Sequence, residues 1–544
     1  MNYKLYENKD EENCQEINSL FLYFINYLNN YYKELYSNHN ENENEIIKNK
    51  NLVFGDEILI HFHKIYDLCL NNLYEEIFIK YINYFYPENI SIFIIHILNN
   101  TDLENKIILF KNILNMIINS FHKDYILNIT NFNQKKYYRL FLNLIYLITN
   151  NFDENTNKEN SLNNNTNQKM EYLLLLCDAL KFLSPMNYPG FILAWLDLLS
   201  FNNFIENFLD VNLIKENSDK YEKYLSLLVL LLSFLNISKN KKINFYHLKV
   251  IIDAIYRFFF ILCYSYPSFI ASYNYILLSY LPLSSSFEDE DSNSFLQLKN
   301  ILLSATPENF IEKENNLKEI NKNFYKENFL SLKVFKENLI SNNIIYLLLD
   351  NDINKNNDDI ELNKLLDKYI NGKSIENILE SILNHLGDIK KERELYIVYN
   401  GIMTYWCHKK QQTENKKLFY NFYFFLLTNL NEIHKKYLID SILNALRFPC
   451  SQTINYSLLF QELFINLENE DLEIQLIVNI FERMLYNPIP WGIKYTLNCL
   501  FKNEKFKQLK NNYISQNEEI EDFINKISKA FIENENEEII KNRI

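Results

Sequence analysis

Apolar side chains recur along this chain at helical spacing. In Asp471–Tyr486 the residues Ile474, Ile477, Val478, Phe481, Met484 and Leu485 follow the i, i+3, i+4, i+7 rule of an amphipathic helix. Asn487-Pro488 ends that helix, because proline disfavours helical backbone in its predecessor. In Pro189–Ser200, Phe191, Ala194, Trp195, Leu198 and Leu199 share one face, while Ile192, Leu193 and Leu196 cover the other. This predicts a helix buried on all sides with Trp195 in the core, and Pro189 suits its first turn. Phe245–Tyr266 is apolar almost all round, with Asp253 and Arg257 at i, i+4 as an internal ion pair. Gly55-Asp56 opens a further helix, with Asp56 as N-cap and Ile58, Phe62, Ile65 and Cys69 on one stripe.

Polar, low-complexity stretches punctuate this pattern: Ser37–Lys50, Thr149–Gln168, Ser284–Ser294, Asp350–Asn363 and Glu533–Ile544. Each lacks the apolar area that offsets ordering entropy and reads as a loop or disordered insertion. The expected organisation is an N-terminal helix and linker over 1–50, a helical subdomain over 51–349, a second over 364–532, and a charged tail over 533–544. Many helices with short connections and no strand signal predict an all-α fold of stacked antiparallel helix pairs. No strict sequence period is found, so the α-solenoid is irregular.

Composition sharpens this. Six Gly and nine Pro in 544 residues are too few for hairpins, Rossmann turns or phosphate loops. Forty Tyr, 41 Phe and three Trp supply a large core. The abundance of Asn, Ile, Lys, Tyr and Phe is also what an AT-rich coding sequence produces. Net charge is −14, from 55 basic and 69 acidic residues, which argues against nucleic acid as the main ligand. The strongest basic clump, Lys239, Lys241 and Lys242, reads as a solvated turn.

Seven scattered cysteines (Cys14, Cys69, Cys177, Cys263, Cys407, Cys450, Cys499) form no CxxC pair, which fits a reducing compartment and neither a disulfide framework nor a zinc knuckle. The polar N-terminus lacks a secretory pattern, and the apolar run Leu225–Leu235 is short for a bilayer span of ~20 residues. The expectation is a soluble intracellular protein without membrane contact, cytoplasmic with the nucleus as a second location.

Candidate chemistry is sparse. Gly372-Lys373-Ser374 lacks the partner glycine of a phosphate loop, with Asp367 in its place. His61 and His63 point apart on a helix, and so do Cys407 and His408. Glu288 and Asp291 sit in a polar loop. Trp195 and Trp406 read as core, and Trp491 caps a core at the start of a helix or faces a partner. No catalytic, cofactor-binding or metal-ligating set is expected, and the chain reads as non-enzymatic.

Specific strings carry more. Pro189-Gly190-Phe191, running on to Ala194-Trp195-Leu196-Asp197-Leu198, resembles the Pro-Gly-Phe…Ala-Trp-Leu-Glu-Leu segment of the C-terminal domain of the Not-one scaffold subunit of the CCR–NOT deadenylase complex. Gln297-Leu298-Lys299-Asn300-Ile301, leading to Ser304-Ala305-Thr306-Pro307, is similar to that family's Gln-Leu-Arg-Asn-Leu-Ile-Leu-Ser-Ala-Phe-Pro. Leu446-Arg447-Phe448-Pro449-Cys450-Ser451 is similar to its Leu-Arg-Tyr-Pro-Asn-Ser, and Glu482-Arg483-Met484-Leu485 with Pro488-Ile489-Pro490-Trp491-Gly492 to its Glu-Arg-Leu-Ile…Pro-His-Pro-Trp-Gly. Leu52-Val53-Phe54-Gly55-Asp56-Glu57 resembles a Leu-Leu-Lys-Gly-Asp-Asp turn.

The strings fall in the family's order over roughly 50–530. The resemblance implies an irregular HEAT-like domain that docks the Not-box subunits, Not-two and its Not-three/Not-five partner, and receives regulatory peptides, with RNA contact secondary. From these strings Lys299, Asn300, Arg447, Phe448, Trp491 and Tyr495 are the expected partner contacts. The Asn-rich insertions have no counterpart in the family, and its proline-rich stretch is reduced to Glu308–Ile320. The parts of the family's long chain that hold the deadenylase nucleases are not matched. Alternative readings are another helical-repeat adaptor such as a transport receptor, against which the ordered strings argue, and an RNA-binding solenoid, against which the charge argues.

Overall fold

A computed structural model gives the fold. It describes residues 87–99, 103–151, 162–209, 218–240, 245–281, 290–307, 375–387 and 416–513, with short pieces at 369, 395–396, 398–400 and 402–403. The expectations placed on Asp56, on His61 and His63, on Gly372–Ser374, on Trp406 and on Cys407-His408 lie outside the described residues. Every regular element among the described residues is helical. The chain divides into two compact units, Met1–Phe234 and Leu235–Ile544. The seams expected near 149–168 and 350–363 each fall inside a unit.

The first unit holds helices α1 (Pro87–Asn99), α2 (Leu103–Leu127), α3 (Gln134–Asn151), α4 (Leu162–Phe182), α5 (Ile192–Leu199), α6 (Asn202–Leu209) and the larger part of α7 (Ser218–Asn240). Helix α3 is its axis. Tyr137, Leu140, Phe141, Leu144, Ile145 and Ile148 recur at helical spacing and are all buried, and α1, α4, α5 and α6 pack around them. A 3₁₀ turn at Pro189–Phe191 leads into α5, with proline in the first turn, where its missing N–H costs nothing. Trp195 is fully buried and its indole Nε1 donates to the Leu180 carbonyl at 2.8 Å. Leu193 and Asp197 face outward, so α5 is buried on most sides and not on all.

The polar stretch 149–168 is partly helical, since α3 runs through Asn151 and α4 starts at Leu162. One described stretch, Lys220–Ser238, is long and apolar enough by length and composition to cross a membrane, and 61% of it is buried inside the fold. It extends the Leu225–Leu235 run, whose length alone had excluded a span.

The second unit holds α8 (Phe245–Ser265), α9 (Pro267–Ser279), α10 (Glu290–Leu303), α11 (Ile375–Gly387), α12 (Lys416–Asn429), α13 (Glu432–Asn444), α14 (Ser451–Asn466), α15 (Glu470–Met484), α16 (Trp491–Phe501) and α17 (Glu504–Tyr513). Helices α8 and α9 meet at 109° across Tyr266. Packing mostly links each helix to neighbours one or two along the described order: α8 on α10, α12 on α14, α13 on α15, α14 on α16. That nearest-neighbour pattern is solenoid stacking. The exception is α10, which also packs on α15.

Two expectations are corrected here. Asp253 and Arg257 lie on the exposed face of α8 and form no internal ion pair. In α15 the buried face is Leu472, Leu476, Ile477, Ile480, Arg483 and Met484, while Leu485 is exposed. The helix is apolar on more than one side, so periodicity alone left its rotation open. An acid waiting inside for Arg483 decides it.

Candidate functional site

Three of the family-like strings meet in the second unit. Helix α10 turns Lys299 and Asn300 inward, and both are fully buried. A buried ammonium needs a partner, since its desolvation otherwise outweighs any packing gain. Lys299 Nζ meets Asp440 Oδ2 of α13 at 3.1 Å. The other carboxylate oxygen takes Arg483 Nη2 from α15. Arg483 Nη2 also reaches Asn444 Oδ1 at 2.9 Å. Asn444 in turn donates to Tyr396 Oη at 2.6 Å and to Asp440 Oδ2 at 3.2 Å.

Helix α10 also closes the end of α15. Asn300 Nδ2 donates to the carbonyls of Arg483 and Tyr486, each at 2.7 Å, and Gln297 Nε2 donates to that of Asn487 at 3.2 Å. The last carbonyls of a helix have no intrahelical donor, and these two amides supply one.

Electrostatics follow from burial. Burial alone would raise the Asp440 carboxyl, but Lys299 and Arg483 outweigh it and hold it below the usual carboxylate range. Burial lowers Lys299 despite Asp440, raises the Tyr396 phenol, and raises the neighbouring Glu482 carboxyl. Two cations thus share one carboxylate inside a helical core.

The other strings lock against each other nearby. Between α13 and α14, Arg447 Nη2 donates to the Ala271 carbonyl of α9 at 3.0 Å and lies 4.7 Å from the centroid of the Phe448 ring. Phe448 itself packs on Ala271. The Thr453 hydroxyl donates to the Phe448 carbonyl at 2.8 Å. Gly492 N donates to the Arg447 carbonyl at 2.6 Å. A Cβ at Gly492 would stand 2.4 Å from Thr453 Cγ2 and 2.6 Å from the Leu446 carbonyl carbon, so only glycine lets the two backbones approach. Beyond it α16 buries Ile493, Leu497 and Leu500, while Trp491 stacks on Tyr495, centroids 5.0 Å apart and planes 12° apart.

The six expected contact residues therefore separate. Lys299 and Asn300 lie fully inside, engaged by Asp440 and by the end of α15. Phe448 is buried, and Arg447 is engaged with Ala271. Half-buried Trp491 and Tyr495, 36% exposed, face outward. The Asp440, Asn444 and Tyr396 side chains were missed by sequence reasoning. Their signal was present in one case: Asp440 is a lone acid among Tyr437, Leu438, Ile439, Ile442 and Leu443, all buried. Among the described residues no group of three or more His, Cys, Asp or Glu is placed to hold a metal.

Comparison with known proteins gives this arrangement a family. Residues 152–528 match the family described as "CCR4-Not complex component, Not1". The chain is 27% identical over 434 residues to the "General negative regulator of transcription subunit 1" of Saccharomyces cerevisiae, covering 73% of this chain and 19% of that protein. It is 24% identical over 437 residues to the "CCR4-NOT transcription complex subunit let-711" of Caenorhabditis elegans, covering 75% and 15%. The chain thus spans less than a fifth of the length of these relatives.

In fold, it is similar to the NOT1 superfamily homology domain of Chaetomium thermophilum, with a TM-score of 0.67, 17% identity and coverage of 95% of this chain and 97% of that one. It is also similar to a Not1 C-terminal domain solved in complex with Not4, with a TM-score of 0.61, 20% identity and coverage of 90% and 96%. The match covers well over half of the chain, so the chain belongs to the Not1 family of CCR4-Not complex components.

Proposed function

We propose that this chain is a non-enzymatic docking module of a CCR4-NOT-type assembly, acting in mRNA deadenylation, decay and translational repression, in the cytoplasm and also the nucleus. The observation that carries this reading is the family match over residues 152–528. The proposed partners are the Not-box subunits, of Not-two and Not-three/Not-five type, together with a subunit of Not4 type. The last is motivated by the structural neighbour described as a Not1 C-terminal domain with Not4. Extended partner segments laid along a helical stack draw their energy from a few buried aromatic and aliphatic anchors, against the cost of ordering the segment. Trp491 and Tyr495 are outward aromatic side chains offered to such anchors.

Co-expression tests this. The chain is produced with each Not-box subunit alone, with both together and with the Not4-type subunit, and co-purification is measured at low and high salt. A complex that survives high salt is expected, because apolar anchors and not phosphate contacts hold it. Tyr495→Ala is expected to weaken that complex while leaving the melting temperature unchanged. No complex in any combination, or RNA that displaces the protein partners, would overturn the reading.

A further inference from the structure

The outward face of α8 carries a run of exposed apolar side chains. Val250, Asp253, Arg257, Phe260, Ile261 and Tyr264 fall at helical spacing within one narrow arc, and all six are exposed. The apolar members are 60% (Val250), 54% (Phe260), 53% (Ile261) and 85% (Tyr264) exposed. The stripe runs about 21 Å at 1.5 Å per residue. The opposite face, with Ile252, Ile255, Tyr256, Phe259 and Leu262, is already buried. A helix apolar on both sides has a second surface that water solvates poorly, and such patches mark contact sites.

The charges in the stripe say what covers it. Asp253 and Arg257 sit at i, i+4, a spacing that allows an ion pair, yet among the described residues neither has a partner. Set beside an identical helix running the opposite way, with the two-fold axis passing midway between Asp253 and Arg257, the charged pair and the residues flanking it complement themselves. Asp253 then meets Arg257 of the second copy and Arg257 meets its Asp253. Val250 faces Phe260 of the second copy in both directions, and the aliphatic stem of Lys249 lies on Ile261. Residue i contacting j while j contacts i is the signature of an isologous two-fold interface. A partner of unrelated sequence would have to supply this charge order by its own design.

We infer that this face of α8 joins two copies of the chain as an antiparallel helix pair. A single helix pair is at the small end of specific interfaces, so the dimer is weak and forms at high local concentration. It does not depend on the docking role.

Sedimentation velocity of the full 544-residue chain across a wide concentration series tests it. The wild type is expected to shift from monomer towards dimer. Asp253→Arg alone places like charges opposite each other and abolishes the shift, and so does Arg257→Asp alone. An equimolar mixture of the two variants restores it, because every pair across the mixed interface is then opposite in sign. Both substitutions are on the surface, so circular dichroism melts should match the wild type and exclude unfolding as the cause. A wild type that stays monomeric throughout overturns the inference. So does association that either single variant leaves unchanged, or a mixture that fails to recover it.

Discussion

Gly492 N donates to the carbonyl oxygen of Arg447 at 2.6 Å, which brings the start of α16 against the turn that follows α13. No side chain fits between them. We predict that Gly492→Ala destabilises the chain by about 1–3 kcal/mol, the usual cost of overpacking a closed site. The added methyl would meet the Leu446 backbone, which cannot swing aside as a flexible side chain would. An unchanged denaturation midpoint would mean that the two segments separate without cost.

The Lys299–Asp440–Arg483 cluster gives a sharper contrast. Asp440→Asn leaves two buried cations facing a neutral amide, and we predict a loss of about 3–5 kcal/mol. Replacing all three together, as Lys299→Met, Asp440→Leu and Arg483→Met, removes the charges with their desolvation cost. The triple variant should then approach wild-type stability. Urea titrations of both variants check this. A triple variant weaker than Asp440→Asn would show that the charges contribute net stability.

Acid should unfold this unit in two stages. His434 is buried with its ring nitrogen 2.9 Å from Tyr399 Oη, and burial lowers its affinity for protons below the usual value of 6.5. The unfolded chain therefore binds that proton first, so stability is complete above pH 6.5 and falls as pH drops below it. Asp440 is held below its usual 3.8, so its contribution is complete above 3.8 and is lost as pH falls through its folded value. Urea midpoints measured across the pH range should step down twice, and His434→Gln should remove the upper step. A single step near pH 4, with His434→Gln indistinguishable from wild type, would contradict this.

Trp195 is the corresponding anchor of the first unit. Trp195→Ala should cost about 3–5 kcal/mol through lost burial and the cavity left behind, and it also leaves the Leu180 carbonyl without its donor. Binding should then fail only together with folding. A variant that melts normally but loses a partner would place Trp195 at a contact and not in the core.

How much of this was readable from residue order depends on whether a local period was enough. The all-helical class, the burial of Trp195 and the end of α15 near Asn487-Pro488 all follow from spacing within one helix. The rotation of α15 does not, because Ile474 and Val478 compete with Leu472, Leu476 and Ile480 for the inside. Lys299 and Asn300 misled in another way. A polar pair in a family-like string reads as surface, yet the acid that satisfies Lys299 lies 141 positions away. Likewise the Asn-rich run 149–168 hid the first turns of α4, which starts at Leu162, because its residues carry no apolar period.

The bridge from α10 to α15 has a consequence for synthesis. Asn300 waits for carbonyl groups at Arg483 and Tyr486, the nearer of them 183 residues downstream. At about 5–20 residues per second the ribosome needs roughly 10–40 s to make that stretch. During that interval the amide of Asn300 and the ammonium of Lys299 stand beside apolar neighbours on a helix whose binding face does not yet exist. The nascent chain must stay soluble through that wait, and its second unit closes only when its late helices arrive.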